Sequence, residues 1–120
     1  MPTRSNEQLC RLAQAGDTAA RDILLESNLG FIRKIALEQY RNMGLDENDI
    51  GIDLDDLVQE GSISLLNAIP LFDAERGMKF LTYAAPAIRN AMTDCIRAAL
   101  GLFEQRMVDK KDAPGFQRVY

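Results

Sequence analysis

The chain has 120 residues, of which 47% are apolar and 27% charged, with a formal net charge of −4. These values fit one soluble globular domain and exclude global disorder or two domains of ordinary size. Two cysteines and no histidine exclude a disulfide framework, argue against zinc and remove the commonest general base, so no enzyme, metal or cofactor is expected. Neither a signal-peptide core nor a bilayer-length apolar run is present, which makes the cytoplasm the expected location.

The pattern is helical throughout, with no period-two β-branched clusters. Ser5 and Gln8 form a capping-box signature and Gly16 is a stop, giving a first helix over residues 5–15. Asp17 caps a second, longer helix that runs to about Gly44, with Leu25, Leu29, Ile32 and Ala36 on one stripe. Residues 46–52 read as an exposed acidic loop. Asp53 caps a third helix carrying Leu54, Leu57, Val58, Leu65 and Ile69, which Pro70 ends. After a turn over residues 72–77, Thr82 caps a fourth helix reaching about Met107, whose inner face is Ile88, Met92, Cys95, Ile96 and Ala99. The expected architecture is all-α: one helical domain of about four main helices over residues 1–108, followed by a linker or tail over residues 109–120 that holds Pro114 and Gly115.

Charge is unevenly placed. Residues 1–75 carry 14 acidic and 6 basic side chains, whereas residues 76–120 carry 4 and 8. No Lys or Arg lies between Asn42 and Glu75, a span that holds Asp46, Glu47, Asp49, Asp53, Asp55, Asp56 and Glu60. Helix capping accounts for part of that run. A calcium loop starting at Asp46 fails, because Ile50 and Leu57 fall where oxygen ligands are required. For the remainder, simple solvation and a docking surface for a basic partner both stand.

The fourth helix places Arg89, Thr93 and Arg97 on one outer stripe with Asn90 alongside. Solvation alone explains a polar outer face, yet Arg, Asn and Thr also bond phosphates and base edges. Upstream lie Arg76, Lys79, Phe80 and Tyr83. Cations interleaved with aromatics suit single-stranded nucleic acid, although Phe80 and Tyr83 equally suit a core, Phe80 more so.

The segments DLVQEG, FDAERG and KFLTYA, at their mutual spacing, resemble the second conserved region of sigma-70 family factors. These are the bacterial RNA polymerase subunits that recognise and open promoters. Upstream, QLCRLAQAGDTAARDILLESNLGFIRKIA is similar to the helices preceding that region, so the resemblance covers roughly residues 5–100. It implies a transcription initiation factor whose acidic helix docks on a basic coiled coil in the clamp of the largest polymerase subunit. The implied polymerase-binding residues are Asp56, Gln59, Glu60, Ser62 and Leu66, with Leu29 at their edge. It also implies binding of the non-template strand of the promoter −10 element. Phe80, Thr82 and Tyr83 match a pocket for a flipped base, Arg89, Asn90 and Thr93 match positions near the upstream part, and Asn28 matches a residue near a downstream base pocket. Arg76, Lys79 and Arg97 complete the implied DNA-binding set. An anti-sigma factor is a further implied partner, and a polymerase-binding or anti-sigma-sequestered module that never reads DNA is the alternative. No membrane partner is implied.

The chain departs from the family where housekeeping members usually carry two tryptophans: it has Pro86 and Ala87. Met78 stands where an aromatic is common, and the acidic loop is longer than usual. No C-terminal helix-turn-helix for the −35 element follows, so the chain is expected to be a fragment or to rely on another protein for that contact.

Overall fold

A computed structural model describes residues 4–47 and 49–112. Five α-helices follow in chain order: α1 (Asn6–Gln14), α2 (Thr18–Ser27), α3 (Leu29–Asn42), α4 (Leu54–Ala68) and α5 (Phe80–Asp112). Two single 3-10 turns, Ile69–Leu71 and Ala74–Arg76, join α4 to α5. No strand occurs among the described residues, so the all-α expectation holds. None of the described helices is long and apolar enough to cross a membrane.

The caps follow the sequence signals. At α1 the Gln8 N–H donates to Ser5 Oγ (3.1 Å) while the Ser5 N–H donates to Gln8 Oε1 (2.8 Å). Asp17 Oδ1 accepts from the Ala20 N–H at the start of α2. At α4 the Asp56 N–H donates to Asp53 Oδ1 and the Asp53 N–H to Asp56 Oδ2, both at 2.9 Å. Each pair satisfies two otherwise orphaned donors.

Three features differ from the expected layout. The long second helix is broken at Asn28, whose backbone (φ −115°, ψ 11°) lies outside helical values. Its Nδ2 reaches back to Leu24 O (2.7 Å), a side-chain bond that competes with helix continuation. The fourth helix begins at Phe80 rather than being capped by Thr82. Instead, the Phe80 N–H donates to Glu7 Oε2 (2.9 Å), so a residue 73 positions earlier supplies the cap and ties α1 to the start of α5. Finally, the loop over residues 46–52 is pinned, since Leu45 and Ile50 are buried while Asp46, Glu47 and Asp49 stay outside.

Helix α4 is the centre of the fold, packed against both α3 and α5. Leu24, Ile32, Leu57, Leu65, Phe80, Ile88, Met92 and Ile96 are fully buried. The contact is close because α4 carries Gly61 there: a Cβ on it would lie 2.5 Å from Met92 Cε and 2.8 Å from Ile32 Cγ2. Pro86 has no N–H to offer the Thr82 carbonyl, yet α5 continues through it for 33 residues, about 50 Å. From Gly101 to Asp109 every residue is exposed. The helix runs past the expected domain end at Val108 to Asp112, and residues 113–120 of the expected tail lie outside the described residues.

Candidate interaction surfaces

On α4 the buried positions Leu57, Gly61, Leu65 and Ala68 face the core, so helical periodicity turns Asp56, Gln59, Glu60 and Ile63 outward. Asp56 and Gln59 are exposed and Glu60 half-buried. Asp56 has two roles in reach, since its carboxylate also closes the N-terminal cap. Ser62 lies at the edge and donates its Oγ–H to Val58 O (2.7 Å), while Leu66 is half-buried. Leu29 is 38% exposed at the first residue of α3, which packs on α4. The sequence reading passed over Ile63, which is 46% exposed amid these acids. Its position between Gln59, Glu60 and Asn67 on the wheel was the available signal.

The acidic face reaches the α4–α5 seam. Burial raises the Cys95 thiol pKa, and the nearby charges of Glu60 and Asp56 add to that rise. An apolar core flanked by carboxylates suits a basic, partly apolar partner surface.

The second surface lies around the start of α5. Phe80 is fully buried, its ring 5.3 Å from that of Phe72 in edge-to-face contact. Phe72 in turn meets Tyr83 at 5.6 Å. This aromatic chain leads from the core outward and holds Tyr83 half-buried. Tyr83, Arg76, Met78, Leu71, Phe72 and Asp73 line a cleft of about 510 Å³. Arg76 is exposed, with Nε 3.7 Å from Asp73 Oδ2, a pairing weak enough to yield to a phosphate. Lys79 and Thr82 are exposed beside the cleft without lining it. Further along α5, Arg89, Asn90 and Arg97 are exposed, and half-buried Thr93 donates its Oγ1–H to Arg89 O (3.0 Å).

Two residues proposed from sequence for DNA contact lie inside. Phe80 is buried beneath Phe72 and supports the cleft rather than offering a stacking face. Asn28 is 7% exposed, and its amide bonds the fold: Nδ2 donates to Leu24 O and to Asn6 Oδ1 (2.9 Å), and Oδ1 accepts from Asn6 Nδ2 (3.4 Å). Both Nδ2 hydrogens are thus committed within the fold, and at 7% exposure the side chain presents no open edge to a base. Leu71, 73% exposed, is not singled out by the sequence, and Met78, which stands where the family often has an aromatic, is 48% exposed. Nothing in periodicity marks a side chain on a 3-10 turn as outward. No grouping of three or more potential metal ligands occurs among the described residues.

A family profile described as Sigma-70 region 2 matches residues 24–100. The RNA polymerase sigma-C factor of Myxococcus xanthus is 37% identical over 90 residues, covering 75% of this chain and 28% of that protein. The RNA polymerase sigma factor SigA of Synechocystis is 42% identical over 80 residues, 67% of this chain and 17% of the relative. The RNA polymerase sigma factor RpoS of Coxiella burnetii is 38% identical over 89 residues, 74% and 23% respectively. The matched region thus spans less than a third of each of these relatives.

Proposed function

The chain belongs to the sigma-70 family through its region 2, and on that premise we propose that it serves transcription initiation by joining RNA polymerase to promoter DNA. The outer face of α4, Asp56, Gln59, Glu60 and Ile63, docks on a basic coiled coil of the polymerase clamp. The cleft at Tyr83 takes a flipped base of the −10 element non-template strand. Arg89 and Arg97 meet the strand's phosphates, and Asn90 meets a base next to the flipped one.

The observation that carries this reading is the placement of two chemically opposite exposed faces on α4 and α5, helices that pack on one another. Docking through one leaves the other open. Flipping a base costs a few kcal/mol. A base stacked on an aromatic ring returns about 1–3 kcal/mol, and cations on the backbone add a salt-dependent term. Pro86 and Ala87 are exposed and carry no aromatic ring, so strand separation rests more heavily on the Tyr83 cleft.

The test mixes core polymerase with the chain and a labelled non-template −10 strand. Glu60→Arg is preferred to Asp56→Arg because Asp56 also closes a helix cap. Glu60→Arg is expected to lose the polymerase complex, and Arg89→Ala to keep it while weakening DNA capture. Full DNA capture by Arg89→Ala would show that α5 does not read the strand.

A further inference from the structure

Tyr83 and Leu71 border two clefts. One, of about 510 Å³, is closed by Asp73, Arg76 and Met78. The other, of about 420 Å³, is walled by Ser64 and Asn67 of α4 and by Pro86 and Asn90 of α5. Both volumes fall in the range of a few hundred Å³ typical of small-ligand sites. The shared ridge is firm on its tyrosine side, because Tyr83 rests on Phe72 (5.6 Å) and Phe72 on buried Phe80 (5.3 Å). Its other member, Leu71, is 73% exposed, an apolar side chain standing above the surface.

The second cleft combines a Pro86 wall with the Ser64 hydroxyl and the amides of Asn67 and Asn90. An amide offers a donor and an acceptor side by side, the pattern that complements an adenine edge. Exposed Arg89 and Arg97 follow on the same helix, and Arg76 lines the first cleft. The surroundings therefore complement a polyanionic strand. Apolar side chains that insert between neighbouring bases are an established way of holding a strand open.

We propose that the second cleft is a subsite for a second unpaired base, adenine preferred, adjacent in the strand to the base held at Tyr83 and Arg76. The Leu71–Tyr83 ridge separates the two bases. Asn67 and Asn90 contact the edge of the second. This rests on the reading of the first cleft as a base pocket.

The experiment measures fluorescence anisotropy of labelled oligothymidylates at fixed salt. They carry no adenine, one adenine, two adjacent adenines, or one adenine flanked on either side by an abasic site. The parent chain is expected to prefer one adenine over none. Relative to two adenines, an abasic neighbour on one side should weaken binding by about fivefold or more, the lower end for one stacked base. Asn67→Ala and Ala87→Leu, both at exposed positions, should abolish that difference and keep the preference for the first adenine. Circular dichroism verifies that each variant stays folded. Preference for one adenine with indifference to abasic neighbours on both sides overturns the second subsite, and is the outcome if a protein side chain occupies the cleft. Absence of any adenine preference overturns the Tyr83 pocket as well.

Discussion

Replacing Gly61 by alanine adds one methyl where α3, α4 and α5 meet. That carbon would sit 2.5 Å from Met92 Cε, 2.8 Å from Ile32 Cγ2 and 3.3 Å from Ile88 Cγ2. All three neighbours are fully buried. The Met92 thioether end can swing away at modest cost, whereas Ile32 is β-branched and held at χ1 within α3. Overpacking of this kind costs about 1–3 kcal/mol, and the higher helix propensity of alanine returns about 1 kcal/mol. We expect net destabilisation of roughly 1 kcal/mol. Urea unfolding followed at 222 nm should show a lower midpoint with an unchanged m-value. Met92→Ala should cost less in the Gly61→Ala background than alone, with a coupling of at least about 0.5 kcal/mol. A Gly61→Ala variant as stable as the parent, with additive double mutants, would refute close α4–α5 packing as the reason for glycine.

Burial, reinforced by the negative charge of Glu7, pushes the Cys10 thiol from 9.0 up to about 11. The folded state therefore holds this proton more tightly, so the contribution is fully present below about pH 9 and is lost as pH rises towards 11. The stability advantage of the parent over Cys10→Ala should narrow by on the order of 2 kcal/mol across that window; parallel pH profiles would contradict it. Glu7→Gln should cost about 1 kcal/mol by weakening a charge-assisted bond at a helix N-terminus, and amide exchange at Phe80 should quicken. Phe80→Ala should lose about 3–5 kcal/mol of stability. Tyr83→Ala should change stability far less, yet weaken single-strand binding by a factor equivalent to about 1–3 kcal/mol.

Local chemistry was legible in the sequence where a single stretch decides the outcome. The caps at Ser5, Asp17 and Asp53 and the inner stripe Ile88, Met92 and Ile96 depend only on neighbours within a turn or two. The break at Asn28 was not legible, because helical hydrophobicity runs through it and the side chain that turns back to Leu24 O is also held by Asn6, 22 residues away. The start of α5 was misplaced for the same reason, its cap being a glutamate from α1. Asn28 and Phe80 carry side-chain types that suit base contacts, but burial is a tertiary property and removed both from the surface. Exposure of Ile63 was implicit in the α4 period; that of Leu71 and Met78 depends on irregular backbone between helices.

Calorimetric titration of the chain into core polymerase, or into its isolated clamp coiled coil, asks whether the proposed docking face on α4 is separable from the α5 surface. Binding is expected to be salt-sensitive, at least about tenfold weaker for Glu60→Arg, an effect of about 1.4 kcal/mol, and unchanged for Arg89→Ala. Absence of binding by the parent, or equal loss in both variants, would contradict the proposal.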